Sequence, residues 1–351
     1  MIMDERKKRI LQAIIDDYID TAEPIGSRTI ARKYELGLSS ATIRNEMADL
    51  EDMGYLAQPH TSAGRIPSDK GYRLYVDELM PVRNLQKEES DRMRIEMETR
   101  INELDQLLKK ASAVLSRYTK YTSMAVTPQL KTSTIKTIQL VPIESGKAMV
   151  IVVTNAGIIR NNLIKIADAL TPDMLIMLSN ELNDKLAGLT VEQIIMGKAI
   201  ELENRSGVTT DILTPVINGV ADCIAEIDSP EVYVEGTTNI FNYPEFRDVS
   251  KAKEFMNVLD EKSNLFRIMT SRTDAGEITI RIGSENDMSV IKDCTLITAN
   301  YNLPDNFKGS IGIIGPTRME YSRVISLLKY MRQLMSEEIN RLMGMEPGRH
   351  L

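Results

Sequence analysis

Tryptophan is absent from the 351 residues, and phenylalanine occurs only five times. A core for a chain of this length must then be built from Ile, Leu, Val and Met. The 20 methionines read as gap-fillers of that core, not as a cofactor box. Cysteine is almost missing. Cys223 and Cys294 stand 71 residues apart, which excludes a disulfide framework or a zinc knuckle and predicts two reduced thiols. Histidine is as scarce, with His60 and His350 alone. No His/Cys metal spacing exists, and no Ser or Cys nucleophile has an identifiable His partner. Carboxylate pairs such as Asp16/Asp17 and Glu51/Asp52 read as solvated helix faces. Neither catalysis nor a cofactor is expected.

Long apolar runs are missing too. The longest, 148–153, has six residues, against the roughly 20 that span a bilayer. Charges begin at Asp4 and leave no signal-like apolar stretch, so a soluble cytoplasmic protein without a membrane partner is expected. An excess of positive charge is lacking as well. Net charge is −7, and residues 1–80 hold 11 Lys/Arg against 14 Asp/Glu. Any nucleic-acid interface must rest on a local surface and not on bulk charge.

The composition that remains is globular, with 42% hydrophobic and 26% charged residues, and at about 150 residues per domain the length predicts two or three domains. In 4–20, Ile10, Leu11, Ile14, Ile15 and Tyr18 fall at helical spacing. Ser27 is placed to cap a short second helix to Tyr34, with Ile30 and Ala31 inward. Ser39 or Ser40 caps a third helix to about Met53, buried along Ile43, Met47 and Leu50 and ended by Gly54. Two short extended segments around His60-Thr61-Ser62-Ala63-Gly64-Arg65 then predict a hairpin, and Ser68 a further helix closed by Pro81.

Residues 84–118 carry neither Pro nor Gly. Met97, Ile101, Leu104, Leu108, Ala111, Leu115 and Tyr118 form a heptad-like seam, read as a helix packing on its own domain in preference to a free coiled coil. Strands are predicted at 134–143, 147–154 and 158–166, helices through 168–227, a strand at 231–234 and helix through most of 244–265. Strands return at 279–282, 296–301 and 309–314, before a closing amphipathic helix at 320–342. The order resembles a sheet domain interrupted by an insertion.

Three helices and a wing ahead of a larger module form the winged helix-turn-helix pattern. With Ile43, Met47 and Leu50 buried, Ala41, Asn45 and Ala48 face away from the core, flanked by Thr42 and Arg44. The N-terminal turn of a recognition helix needs small residues for close approach and forked donors for base edges. Ser40, Thr42, Arg44 and Asn45 supply them. His60, Thr61, Ser62, Gly64 and Arg65 in the wing, with Lys70 and Arg73 beyond it, suit phosphate oxygens or a minor groove. Over 56–76 there are three cations to one acid. A tri-helical module that binds only a protein is the competing reading. The Gly-rich 309–317 lacks the spacing of a phosphate cradle and reads as a strand, a Gly-Pro turn and a Thr317 cap.

The run Leu38-Ser39-Ser40-Ala41-Thr42-Ile43-Arg44-Asn45-Glu46-Met47, then Gly54-Tyr55-Leu56 and the stretch from His60 to Arg73, closely resembles the HrcA family of heat-inducible transcription repressors. The likeness extends to Gly315-Pro316-Thr317-Arg318-Met319-Glu320-Tyr321. It implies an α+β chain with a winged helix-turn-helix domain (1–82), a linker helix (83–120), a GAF-like sheet domain (121–167 and 266–345) and a helix-rich dimerisation domain inserted in it (168–265). It also implies a homodimer on an inverted-repeat DNA operator of chaperone genes, activity lost on heating, and the chaperonin GroEL as partner. A regulator sensing a small effector through the GAF-like domain is the alternative.

Overall fold

The computed structural model describes residues 3–61, 63–98, 103–127, 132–168, 170–195, 210–229, 231–271, 277–303 and 307–342. Helix α1 (Glu5–Thr21) is opened by Asp4, whose carboxylate accepts from Lys7 N. It crosses α2 (Ser27–Lys33) and α3 (Ser40–Asp52). Ile10, Leu11, Ile14 and Ile15 of α1, Ile30 of α2 and Ile43, Met47 and Leu50 of α3 are buried together, as the spacing predicts. Gly26, not Ser27, occupies the N-cap of α2; Ser27 is buried within its first turn. Gly54 follows α3 at φ +78, a left-handed turn that favours glycine. Strands β1 (Leu56–Ala57) and β2 (Ile66–Pro67) make the predicted hairpin. Ser68 then caps α4 (Asp69–Leu74), its hydroxyl accepting from Gly71 N at 3.1 Å.

The continuous helix expected over 84–118 is two helices, α5 (Lys87–Met97) and α6 (Leu104–Thr119), the second starting from an extended Glu103. Their apolar residues Met93, Met97, Leu104, Leu108, Ala111 and Leu115 are buried in the chain's own core, which is the reading preferred from the sequence. Ile101 of the predicted seam lies outside the described residues.

Two further sheets follow. One has the order β7-β3-β10-β9-β8 and is antiparallel throughout. It comprises β3 (Thr122–Val126), β7 (Val232–Glu235), β8 (Ile278–Ile282), β9 (Cys294–Asn302) and β10 (Lys308–Pro316). The other is the meander β4 (Ile135–Glu144), β5 (Lys147–Thr154) and β6 (Ile159–Lys165). It packs with α7 (Pro172–Leu186), the single turn α8 (Val191–Gln193) and α9 (Thr210–Asp228). Asn183 of α7 brackets Ile138 by bonding its N–H and its carbonyl, at 2.8 and 2.7 Å. Gly219 of α9 lies so close to Ile164 that a Cβ there would stand 2.5 Å from Cγ2.

Pairing therefore divides the chain differently from the boundaries expected above. The meander 135–165 joins the inserted helices and not the large sheet, and the insert leaves and rejoins that sheet where Thr127 bonds Glu231 (Thr127 N to Glu231 O 3.0 Å; Glu231 N to Thr127 Oγ1 2.8 Å). Helices α10 (Val249–Asp260) and α11 (Lys262–Thr270), expected in the insert, cover the large sheet instead: Phe255, Leu265, Ile268 and Met269 are buried with Met124, Leu296 and Ile314. The helix α12 (Tyr321–Leu342) lies on the opposite face, with α6. It begins four residues after Thr317, so Thr317 is not its cap. Gly309 and Gly315 make room for the rings of Tyr301 and Tyr121, where a Cβ would meet ring carbons at 2.1 and 2.5 Å.

Candidate nucleic-acid interface

Ser39 holds the start of α3: its Oγ accepts from Thr42 N at 3.1 Å and lies 2.9 Å from Thr42 Oγ1. In that turn Ala41, Arg44 and Asn45 are exposed, and Ser40 and Thr42 partly so. Among the described residues neither Arg44 nor Asn45 has an ion-pair or side-chain hydrogen-bond partner, so both forks are available. The acids of the same helix are turned the other way. Glu46 is drawn under α1, with Lys7 Nζ at 2.7 Å from Oε2 and Arg6 at 3.3 Å from Oε1, and Lys7 also reaches Asp49 at 3.1 Å. Those carboxylates, Glu46 first, raise the Lys7 pKa. The outer side of α3 thus carries Ser, Thr, Arg and Asn, while Glu46 and Asp49 are neutralised on the flank.

In the hairpin, His60 and Thr61 are exposed at the tip. The tip is closed by Gln58, whose Nε2 donates to the carbonyls of Thr61 and Ala63 at 3.1 and 3.0 Å. Ser62 lies outside the described residues. Gly64 is required for a backbone approach: a Cβ there would meet the Ile25 carbonyl carbon at 2.4 Å. Next to it, Arg65 bonds the Ile25 backbone in both directions at 2.8 and 2.9 Å and pairs through its guanidinium with Glu51 of α3 at 2.7 Å. Arg65 therefore fixes the hairpin against α3. Lys70 sits over the Tyr55 ring at 4.4 Å and donates to Met53 O at 2.9 Å, closing the far end of α3.

Arg73 departs furthest from expectation. It does not face the surface shared by α3 and the hairpin. Its Nε and NH2 grip both oxygens of Glu285 at 2.9 and 2.5 Å, NH2 also meets Ile280 O at 2.7 Å, and NH1 meets Asp77 at 3.1 Å. A bidentate carboxylate pair is a strong charge-assisted contact and occupies the fork that a phosphate would need. Beside it, Asp69 accepts from Ser284 N at 2.8 Å, against Gly283 in the left-handed region. Tyr72 and Tyr75 pack on Tyr321 with ring centroids 5.8 and 6.3 Å apart. Arg318 donates to Ile19 O at 2.6 Å while held by Glu245 at 2.8 Å. The two motifs noted in the sequence, 68–73 and 315–321, meet here and seat the N-terminal unit on the large sheet domain.

The structure adds two cations. Arg28 and Arg32 of α2 are exposed and, among the described residues, unpaired, on the helix that precedes α3. Their spacing of four is legible in the sequence, although the inward Ile30 and Ala31 lie between them. Against this, Lys33 of the same helix is bound to the buried Asp17.

The family model described as HrcA protein C terminal domain matches residues 105–325. The heat-inducible transcription repressor HrcA of Acetivibrio thermocellus is 56% identical over 345 residues, covering 98% of each chain. That of Ruminiclostridium cellulolyticum is 56% identical, covering 98% of this chain and 99% of its own, and that of Clostridium tetani 46%, covering 98% and 96%. The structure is similar, with a TM-score of 0.72 and 25% identity, to a crystal structure of a hypothetical protein at 2.2 Å resolution, covering 97% of this chain and all of that one. With relatives matched along their whole length and the helix-to-strand order described above, the chain belongs to the HrcA family of heat-inducible transcription repressors.

Proposed function

We propose that the N-terminal unit is a winged helix-turn-helix domain, the large sheet domain a GAF-like fold, and the protein a repressor of chaperone genes. It reads an inverted-repeat operator as a homodimer in the cytoplasm. Each protomer lays α3 in a major groove, with Arg44 taking a guanine O6/N7 edge and Asn45 an adenine edge, and Ser40 and Thr42 beside them. His60, Thr61, Ser62 and the Gly64 backbone meet the flanking phosphates or minor groove, joined by Arg28 and Arg32. Arg65 and Lys70 position the hairpin and α3, and Arg73 holds the domain in place. The observation that carries this reading is the separation of charge on α3: forked donors face solvent, and Glu46 is neutralised by Lys7.

A dimer matches a two-fold operator, because isologous pairing presents two identical helices to the two half-sites. Heat removes the active population through a folding equilibrium of a few kcal/mol, and GroEL restores it. Among the described residues no helix is long and apolar enough to cross a membrane.

The test is fluorescence anisotropy on a duplex carrying an inverted repeat from a chaperone promoter and on a scrambled duplex, across a salt series. Wild type is expected to prefer the repeat about a thousandfold or more, and Arg44→Ala to lose about 1–3 kcal/mol of that preference. Equal binding to both duplexes, or an unchanged preference in Arg44→Ala, overturns the reading.

A further inference from the structure

Between α4 and α5 the chain runs without regular secondary structure over residues 81–86 and is laced to α12. Ser322 Oγ donates to Pro81 O at 2.6 Å and accepts from Arg83 N at 3.2 Å, and Ser326 Oγ donates to Arg83 O. The strap is undercut on both sides. Hollows of about 690 and 330 Å³ share Arg83, Asn84, Leu85 and Ser326 as walls. The larger falls within the roughly 300–1,000 Å³ of small-molecule sites.

Charge in that hollow is one-sided. Five cations line it against two acids. Glu89 is matched by Arg323 at 2.9 Å and Glu96 by Arg117 at 2.6 Å. Among the described residues Arg92 and Lys120 make no ion pair, and Arg83 makes none at contact distance, its charge reaching Asp16 only at longer range. They come from three places, the strap, α5 and the turn after α6, and they converge on one concavity in a chain whose net charge is −7. Arg92 donates its Nε to the Glu88 carbonyl at 3.1 Å, which leaves its two terminal amino groups for another acceptor. A cleft of one sign concentrates counter-ions, and Tyr118 and Leu85 offer it an apolar side.

We propose that this cleft binds a small phosphorylated anion carrying two or more negative charges. Three cations require more than one charge, the polar lining argues against an apolar effector, and the volume suits a molecule of nucleotide size. Because the strap forms one wall and leads directly to the N-terminal unit, occupancy is expected to alter the seating of that unit and hence duplex affinity. This corollary rests on the repressor reading; the site itself does not.

Titration calorimetry of the full chain with inorganic pyrophosphate and with ADP, without divalent metal, tests it. At least one probe is expected to bind with a Kd of about a millimolar or tighter. Arg83→Ala/Lys120→Ala is expected to weaken it at least about tenfold, and Arg44→Ala to leave it unchanged. A thermal melt is run alongside. If the double variant melts early, Arg92→Gln carries the test, with an expected weakening of several-fold. Absence of binding by both probes overturns the proposal, as does binding lost in Arg44→Ala and kept in the double variant, which would put the anion on the α3 face. No DNA enters this measurement, so its failure is distinct from failure of the repressor reading.

Discussion

Lys7 shows how a residue far from any base can decide what a recognition helix presents. Its ammonium holds Glu46 and Asp49 on the flank of α3, with only 10% of its side chain exposed. Lys7→Met leaves Glu46 with only the more exposed Arg6, and Asp49 without its cation, beside the proposed phosphate path. Duplex affinity is expected to fall about fivefold, near 1 kcal/mol for one surface charge at close range, and to recover in Lys7→Met/Glu46→Gln. The pKa of Lys7 is raised above 10.5 by these acids. Its stabilising share is thus complete below pH 10.5 and lost as pH climbs through the higher folded value. Wild type is expected to lose Tm along that alkaline limb more steeply than Lys7→Met, a difference that scanning calorimetry at pH 9–12 measures.

The two cysteines offer a second measurement at this scale. Burial pushes the Cys223 thiol up to about 11 and raises that of Cys294 well above its ordinary range. Only the thiolate reacts, so at pH 8 iodoacetamide is expected to label neither in the folded protein and both in denaturant. On heating, Cys223 in α9 reports opening of the inserted unit and Cys294 in β9 opening of the large sheet. Mass spectrometry shows which comes first.

At the scale of elements, the outer face of the meander β4–β6 lacks cover among the described residues. Ile143, Ile159 and Leu163 are half exposed there, with Met149 opposite Leu163 and Val153 opposite Ile159. Its inner face, Ala148, Val150 and Val152, is buried beneath α7 and α9. A sheet apolar on both faces calls for a second partner, and a symmetry mate is the natural one for the proposed dimer. Leu163→Glu is expected to shift sedimentation from dimer to monomer while leaving the circular dichroism spectrum unchanged; a persistent dimer would locate the interface elsewhere.

Elements differed in how plainly the sequence announced them. The strands 147–154 and 159–165, the closing helix and the stripe Ile43, Met47, Leu50 followed from period and caps, because their patterns are local. Strand β3 carries no such local pattern. Its residues Thr-Ser-Met-Ala-Val alternate in no way, since all five are buried between two neighbouring strands and under helices on both faces.

For the whole molecule, the decisive feature is the seating of the N-terminal unit on the large sheet domain. Tyr72 and Tyr321 are almost fully buried in it, and Arg73 spans it to Glu285. Arg73→Ala removes one charged, bidentate tie of about 2 kcal/mol. It is expected to speed proteolysis within 81–86 several-fold and to lower operator affinity through lost alignment, without the loss of base preference seen for Arg44→Ala. Equal proteolysis rates in variant and wild type would show that the tyrosine contacts suffice.

The sequence by itself determined the helices of the first eighty residues and most of their caps, the outward placement of Asn45 with Arg44 on its flank, most strands and, through its motifs, the family. These rest on interactions within a few residues. Only the tertiary structure decided that Arg73 belongs to a domain contact, that Arg65 and Lys70 serve α3 and the hairpin, and that 135–165 joins the inserted helices. Such outcomes depend on partners as remote as Glu285, 212 residues from Arg73. A cation carries no local mark of which acid it will meet, and a strand none of which sheet it will join.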